Sequence, residues 1–199
     1  MKKISLIIFD DFTEIDLFLM WDILGRNKQD WQVNILGTKS FHQSSNGLNI
    51  PTHGHIKDAN NADVVLFSSG KGTREVIKDQ EFISTFALNP KQQLIGSICS
   101  GALVLATLGL LKDKKATTHS RAKQQLISMG IEVIDKPFIC YDKIATAGGC
   151  LSAQYLVGWV IEKLCGSQKK KELLQEIFPV GQINLYENLL NTTIQAGHK

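Results

Sequence analysis

Long apolar runs are missing from this 199-residue chain. No stretch approaches the roughly 18 apolar residues of a membrane span. Lys2-Lys3 precedes only a short apolar run before Asp10-Asp11, too short for the core of a secretory signal. Cysteine is scarce, with four residues (Cys99, Cys140, Cys150 and Cys165) and no CxxC pair. That usage argues against a disulfide scaffold and for free thiols in a reducing, cytoplasmic setting. Charge of one sign is also lacking, the net being +3, which gives nucleic acid no basic face to bind. The one cationic run, Lys169-Lys170-Lys171, leads into Glu172 and Glu176 and reads as the solvated face of a helix. Only four prolines occur, and no linker, repeat or low-complexity segment divides the chain. One domain over residues 1–199 is expected, and 43% hydrophobic residues suffice for its core.

What is present alternates between two patterns. Near-continuous apolar runs at 4–9, 62–67 and 94–98 read as strands buried on both faces, 31–36 as the second strand in the chain and 144–147 as a short one. Shorter strands are expected at 131–134 and 138–141. Between them lie helical patterns at 13–24, 73–88, 102–111, 120–129 and 151–164, followed by tail segments at 169–178 and 185–194. The polar stretch 41–55 suggests a hairpin around Asn46-Gly47. His53 and His55 share a strand face there, but no acidic or thiol partner is near in sequence, so no metal site is expected. The alternation predicts an α/β fold on a mainly parallel sheet, in which ligands bind beyond the carboxyl ends of the strands.

The residues with chemistry fall at those ends. Leu94–Ile98 must give way to a helix within about one residue of Cys99, and Ser97 and Gly101 keep both shoulders small. This is a nucleophile elbow with cysteine in the place of serine. At a helix start the unpaired N–H groups favour the thiolate; a buried structural cysteine is the alternative. Asp16 sits in the first turn of the first helix among Ile15, Leu17, Leu19 and Met20, with Glu14 as its rival. The loop Ser68-Ser69-Gly70-Lys71-Gly72 offers backbone N–H groups to an oxyanion. His119 and Gly148-Gly149 also follow strands. Cys150 reads first as a packing residue at a helix start, with a resolving thiol as the alternative.

Three segments together carry a family resemblance: Thr13-Glu14-Ile15-Asp16-Leu17, Ile98-Cys99-Ser100-Gly101-Ala102 and Ala116-Thr117-Thr118-His119. With them the chain resembles the ThiJ/PfpI superfamily, whose flavodoxin-like, three-layer α/β/α fold is shared with class I glutamine amidotransferases. The similarity covers roughly residues 3 to 165 and leans toward the isonitrile (isocyanide) hydratase branch. It implies Cys99 as nucleophile and Asp16 as the acid contacting it, where the deglycase-like branch uses Glu. Gly70, Ser100, His119, Gly149 and Cys150 would line the oxyanion and substrate site. No cofactor, a small-molecule substrate and a homodimer are implied. A glyoxalase-like enzyme and a redox-sensing or ligand-binding module are the rival readings. Two departures stand out. The family's Pro-Gly-Gly is Ser68-Ser69-Gly70 here, and Ser120-Arg121 follows His119 where the family often has Trp.

Overall fold

A computed structural model describes all 199 residues. In chain order the strands are β1 (Lys2–Ile7), β2 (Trp31–Gly37), β3 (Phe41–Gln43), β4 (Asn49–Pro51), β5 (Gly54–His55), β6 (Val64–Phe67), β7 (Leu94–Ile98), β8 (Lys115–Ala116), β9 (Glu132–Val133), β10 (Phe138–Cys140) and β11 (Ile144–Ala147). The helices are α1 (Glu14–Gly25), α2 (Thr73–Val76), α3 (Gln80–Ser84), α4 (Ala102–Thr107), α5 (Ser120–Ser128), α6 (Ala153–Leu174) and α7 (Ile183–Gly197). Seven strands form the central sheet in the order β10-β11-β7-β6-β1-β2-β5. All its pairings are parallel except β10 with β11. Its middle, β2-β1-β6-β7-β11, is the 2-1-3-4-5 order of flavodoxin-like folds, with the reversal of strand order between β1 and β6.

Burial explains the runs. Every residue of β6, β7 and β11 is buried, because helices cover both faces. α1 packs with α6 on one face, and α4 packs with α2 and α5 on the other. Between them lies one continuous core that includes Leu6, Phe67, Ile98, Leu103 and Trp159. The expected hairpin forms as β3 and β4, with Gly47 at φ 93°.

Several elements differ from their sequence patterns. The expected helix over 73–88 is two short ones, since Asp79 caps α3 by accepting from the N–H groups of Glu81 and Phe82. α4 stops at Thr107, and Gly109 turns the chain at φ 74°. The strand at 131–134 shrinks to β9, which pairs with β8 in a small separate sheet. The helix expected from Leu151 begins at Ala153, after a 3-10 turn over Cys150–Ser152. α6 bends at Gly166 (φ 84°), and its far half carries the lysine run. Lys170 is not solvated there: it is buried and paired with Glu162 at 2.9 Å. α7 packs on α6 and on β10, the antiparallel edge strand.

Candidate active site

Four strand ends converge beside the reversal point. β7 delivers Cys99, which sits at φ 49°, a conformation uncommon for any residue with a Cβ. The geometry is that of the elbow: a 3-10 turn, Cys99–Gly101, runs straight into α4. Its tightness explains Gly101, where a Cβ would lie 2.6 Å from the Ser68 carbonyl and 2.8 Å from that of Phe67. Thr118 Oγ1 donates to the Cys99 carbonyl at 2.7 Å and clamps the turn from the other side.

β6 delivers the Ser68–Gly72 loop. Gly70 adopts φ 150° and its Cα faces the backbone of the segment after β1, so a Cβ would meet the Asp11 carbonyl at 2.0 Å. Here one expectation is corrected. The Gly70 N–H donates to Ser100 Oγ at 3.1 Å, so it is already engaged and does not serve an oxyanion. Ser100 Oγ also lies 3.0 Å from Thr73 Oγ1, so this hydroxyl, on the wall of the site, ties the loop to the elbow. The donors left for developing charge are the first N–H groups of the Cys99–Gly101 turn, which have no partner within the helix.

β1 leads into α1, whose first turn carries both carboxylates. Asp16 is fully buried, Ser69 Oγ donates to its Oδ2, and its Oδ1 is without a hydrogen-bond partner. Glu14 turns away and accepts from Ser44, from the Asn46 N–H at 2.7 Å and from Asn46 Nδ2 at 3.0 Å. Against the cost of partial burial, these bonds hold its carboxyl below the ordinary value. The rivalry between the two acids is thereby resolved by the hairpin, which claims Glu14.

β11 delivers Gly148-Gly149-Cys150. Cys150 packs against the core at the start of its 3-10 turn and also faces the site: it is half-buried, and its sulfur, the Cys99 sulfur and an Asp16 oxygen all lie within 4.8 Å of one another. Burial, and then the charges of Asp16 and Cys150, push the Cys99 thiol well above its ordinary value, while the Gly149 N–H pulls it back. Burial and Asp16 push Cys150 up to about 11. The helix start therefore does not by itself yield a thiolate, contrary to expectation. The trio also offers two sulfurs and a carboxylate, a donor set suited to a soft divalent ion, although both thiols would have to shed protons first.

A cavity of about 530 Å³ opens above this trio. It is lined by Thr13, Ser45, Asn46, Lys71, Arg74, His119 and Arg121 besides the residues already described. His119 reaches it but acts as the N-cap of α5, its Nδ1 accepting from the Arg121 N–H at 3.2 Å. All seven residues expected at the site thus stand together. Sequence reasoning missed Ser69, Thr73 and Thr118, whose roles depend on contacts across 53, 27 and 19 residues respectively. It also missed the three cations. His53 and His55 lie elsewhere, each with Nδ1 accepting a backbone N–H, from Ile35 and Lys57.

Known proteins resemble this chain at two levels, sequence and fold. The isonitrile hydratase of Pseudomonas putida is 26% identical over 166 residues, spanning 78% of this chain and 72% of that one. The crystal structure of a ThiJ/PfpI family protein from Pseudomonas syringae superposes with a TM-score of 0.79 at 18% identity, over 98% of this chain and 88% of the other. Schizosaccharomyces pombe DJ-1 does so with a TM-score of 0.75 at 19% identity, over 90% of this chain and the whole of that one. At such identities the two structures speak for the fold. A family model described as DJ-1/PfpI matches residues 2–163, and with it the chain belongs to the DJ-1/PfpI family.

Proposed function

We propose that this protein is a cysteine-dependent enzyme acting on a small molecule, with isonitrile hydration as its reaction. One observation carries the proposal: Cys99, held in a strained elbow, shares the floor of a cavity with a fully buried Asp16 carboxyl. A buried carboxyl with one free oxygen is suited to hand a proton to the reacting atom. The Cys99 sulfur attacks the terminal carbon of an isonitrile, and the thiol proton, relayed by the Asp16 carboxyl, goes to that carbon. The product of this step is a thioimidate. Water then adds across its C=N bond, the C–S bond breaks, and the N-substituted formamide leaves with the thiol restored. The named relative supports this chemistry at 26% identity.

The test is formamide release from a simple aryl isonitrile, followed by chromatography. Cys99→Ala and Asp16→Ala should each reduce it to background. Undiminished turnover by Cys99→Ala overturns the mechanism. Cys99-dependent lactate formation from methylglyoxal, with no formamide from isonitriles, would transfer the same pair to α-oxoaldehyde chemistry.

The position of Cys150 favours a second, redox reading. Peroxide oxidises Cys99 to the sulfenic acid with release of water. The Cys150 thiol then attacks that sulfur, expelling a second water and leaving a disulfide. Mild peroxide should yield a Cys99–Cys150 linked peptide under non-reducing conditions. A sulfinate at Cys99 with Cys150 still free would discount it.

A further inference from the structure

The cavity above Cys99 is charged on one side. Lys71 and Arg74 follow the Gly70 loop, Arg121 stands in the first turn of α5, and all three line the same space as the thiol. None of them enters an ion pair. Glu75, the acid next to Arg74, pairs with Lys78 at 3.4 Å. The Arg74 guanidinium donates to the Arg121 carbonyl at 3.1 Å, which draws the start of α5 and the end of the Gly70 loop together. Asp16 is the one carboxylate on the lining, and it is buried on the floor against Ser69. Across the mouth, Glu14 is already engaged by Ser44 and Asn46. A chain of net charge +3 thus gathers three unpaired cations around its reactive thiol. A cleft lined by one sign concentrates ligands of the other, and the guanidinium fork fits an oxyanion with two parallel hydrogen bonds.

We propose that Lys71, Arg74 and Arg121 form a subsite for an oxyanion, a carboxylate or phosphate carried on the same small molecule as the carbon that Cys99 attacks. This rests on the nucleophilic reading of Cys99. It narrows the substrate to anionic electrophiles and makes the arginines specificity-determining.

Two reagents test it without knowledge of the natural substrate. Iodoacetate and iodoacetamide present the same CH₂–I electrophile on an anion and on a neutral amide; in each the S–C bond forms as iodide leaves. Their rates at Cys99 are read by peptide mass spectrometry at alkaline pH, with N-acetylcysteinamide as the free-thiol standard. The iodoacetate-to-iodoacetamide ratio at Cys99 should exceed that of the standard by about tenfold at low salt and fall toward it at about 0.5 M salt. Arg74→Gln combined with Arg121→Gln should remove most of the excess. Lys57→Gln, in the 3-10 turn after β5 and outside the cavity, should not change the ratio. A Cys99 ratio equal to or below the standard overturns the subsite while leaving the nucleophile standing, as does an excess that survives salt and the arginine changes. If Cys99 reacts with neither reagent while the exposed Cys165 reacts with both, the nucleophilic reading falls and the subsite with it.

Discussion

Cys99 at φ 49° is a residue whose backbone favours glycine while its chemistry demands sulfur. A left-handed conformation costs a residue with a Cβ roughly 1–2 kcal/mol. Here the surrounding contacts enforce it: the Thr118 hydroxyl holds the Cys99 carbonyl, and Gly101 lies too close to two carbonyls for the turn to relax. Substitution to glycine normally destabilises relative to alanine, because glycine loses more freedom on folding. At this position the order should reverse. Both variants lack the thiol, so comparing them isolates the backbone. Cys99→Gly should unfold at a higher temperature than Cys99→Ala, by up to about 1 kcal/mol in stability. Calorimetry on the two variants checks this, and alanine as the more stable of the pair would mean that the elbow stores no strain. The neighbouring acid follows a related logic. Asp16 is buried beside a thiol that it pushes up, an arrangement that burdens folding. Such a pair is more readily understood as retained for reaction than for stability.

The hairpin formed by β3 and β4 is tied to the segment after β1 by backbone bonds from Asp11 to Gln43 and from Ser45 to Phe12, and by one buried histidine. His42 Nε2 accepts the Thr38 N–H at 3.1 Å, so the ring is neutral there and Nδ1 donates to Asp10 at 2.8 Å. Burial holds the His42 pKa below the ordinary histidine value, outweighing the pull of Asp10, while the Lys39 charge adds to the depression. The unfolded chain therefore binds a proton at His42 before the folded one does. Stability from this group is complete above about pH 6.5 and is lost as the pH falls from there through the depressed folded value, by at most about 1.4 kcal/mol per pH unit. Urea midpoints at pH 7 and pH 5 should differ for the native chain and much less for His42→Gln. An equal shift in both would assign the acid sensitivity elsewhere. Since this hairpin also engages Glu14 through Ser44 and Asn46, its loosening should reach the rim of the active site. The hairpin itself was legible from Asn46-Gly47, but His42 was not, because nothing local marks a ring that bonds across 32 residues to Asp10. The same limit applies to helices. Periodicity over 73–88 concealed the break at Asp79, although a carboxylate before Glu81 is a recognisable cap. The bend at Gly166 was readable as a glycine, whereas the inward turn of Lys170 toward Glu162 was not.

At the scale of the whole molecule, the two-face-buried runs were sufficient to imply a parallel sheet, and the rule that ligands sit beyond carboxyl strand ends was sufficient to collect Asp16, Gly70, Cys99, His119 and Gly149. Strand order was out of reach, because identical apolar runs carry no label of their neighbours. The nearness of Cys150 to Cys99 depends on β11 pairing with β7, and so was equally hidden. What remains is assembly, since the resemblance to a dimer-forming family needs a face. Leu151 is 68% exposed on the 3-10 turn after Cys150, and Ile15 is 45% exposed on the first turn of α1, which contacts that turn. The two are chain neighbours of Cys150 and Asp16, so an apolar patch flanks the active site. We expect a second copy of the chain to cover it, because a two-fold contact matches one apolar patch with its own copy. Light scattering should return about twice the 22.1 kDa of one chain, and Ile15→Asp with Leu151→Asp should return a single chain. The double variant should also change the rate of Cys99 alkylation, since the patch is carried by the chain neighbours of Asp16 and Cys150. A monomeric native protein would overturn the expectation outright. A dimer that survives the double variant would move the interface away from the site, and α7, with Leu185 and Leu189 exposed, would be the next face to substitute.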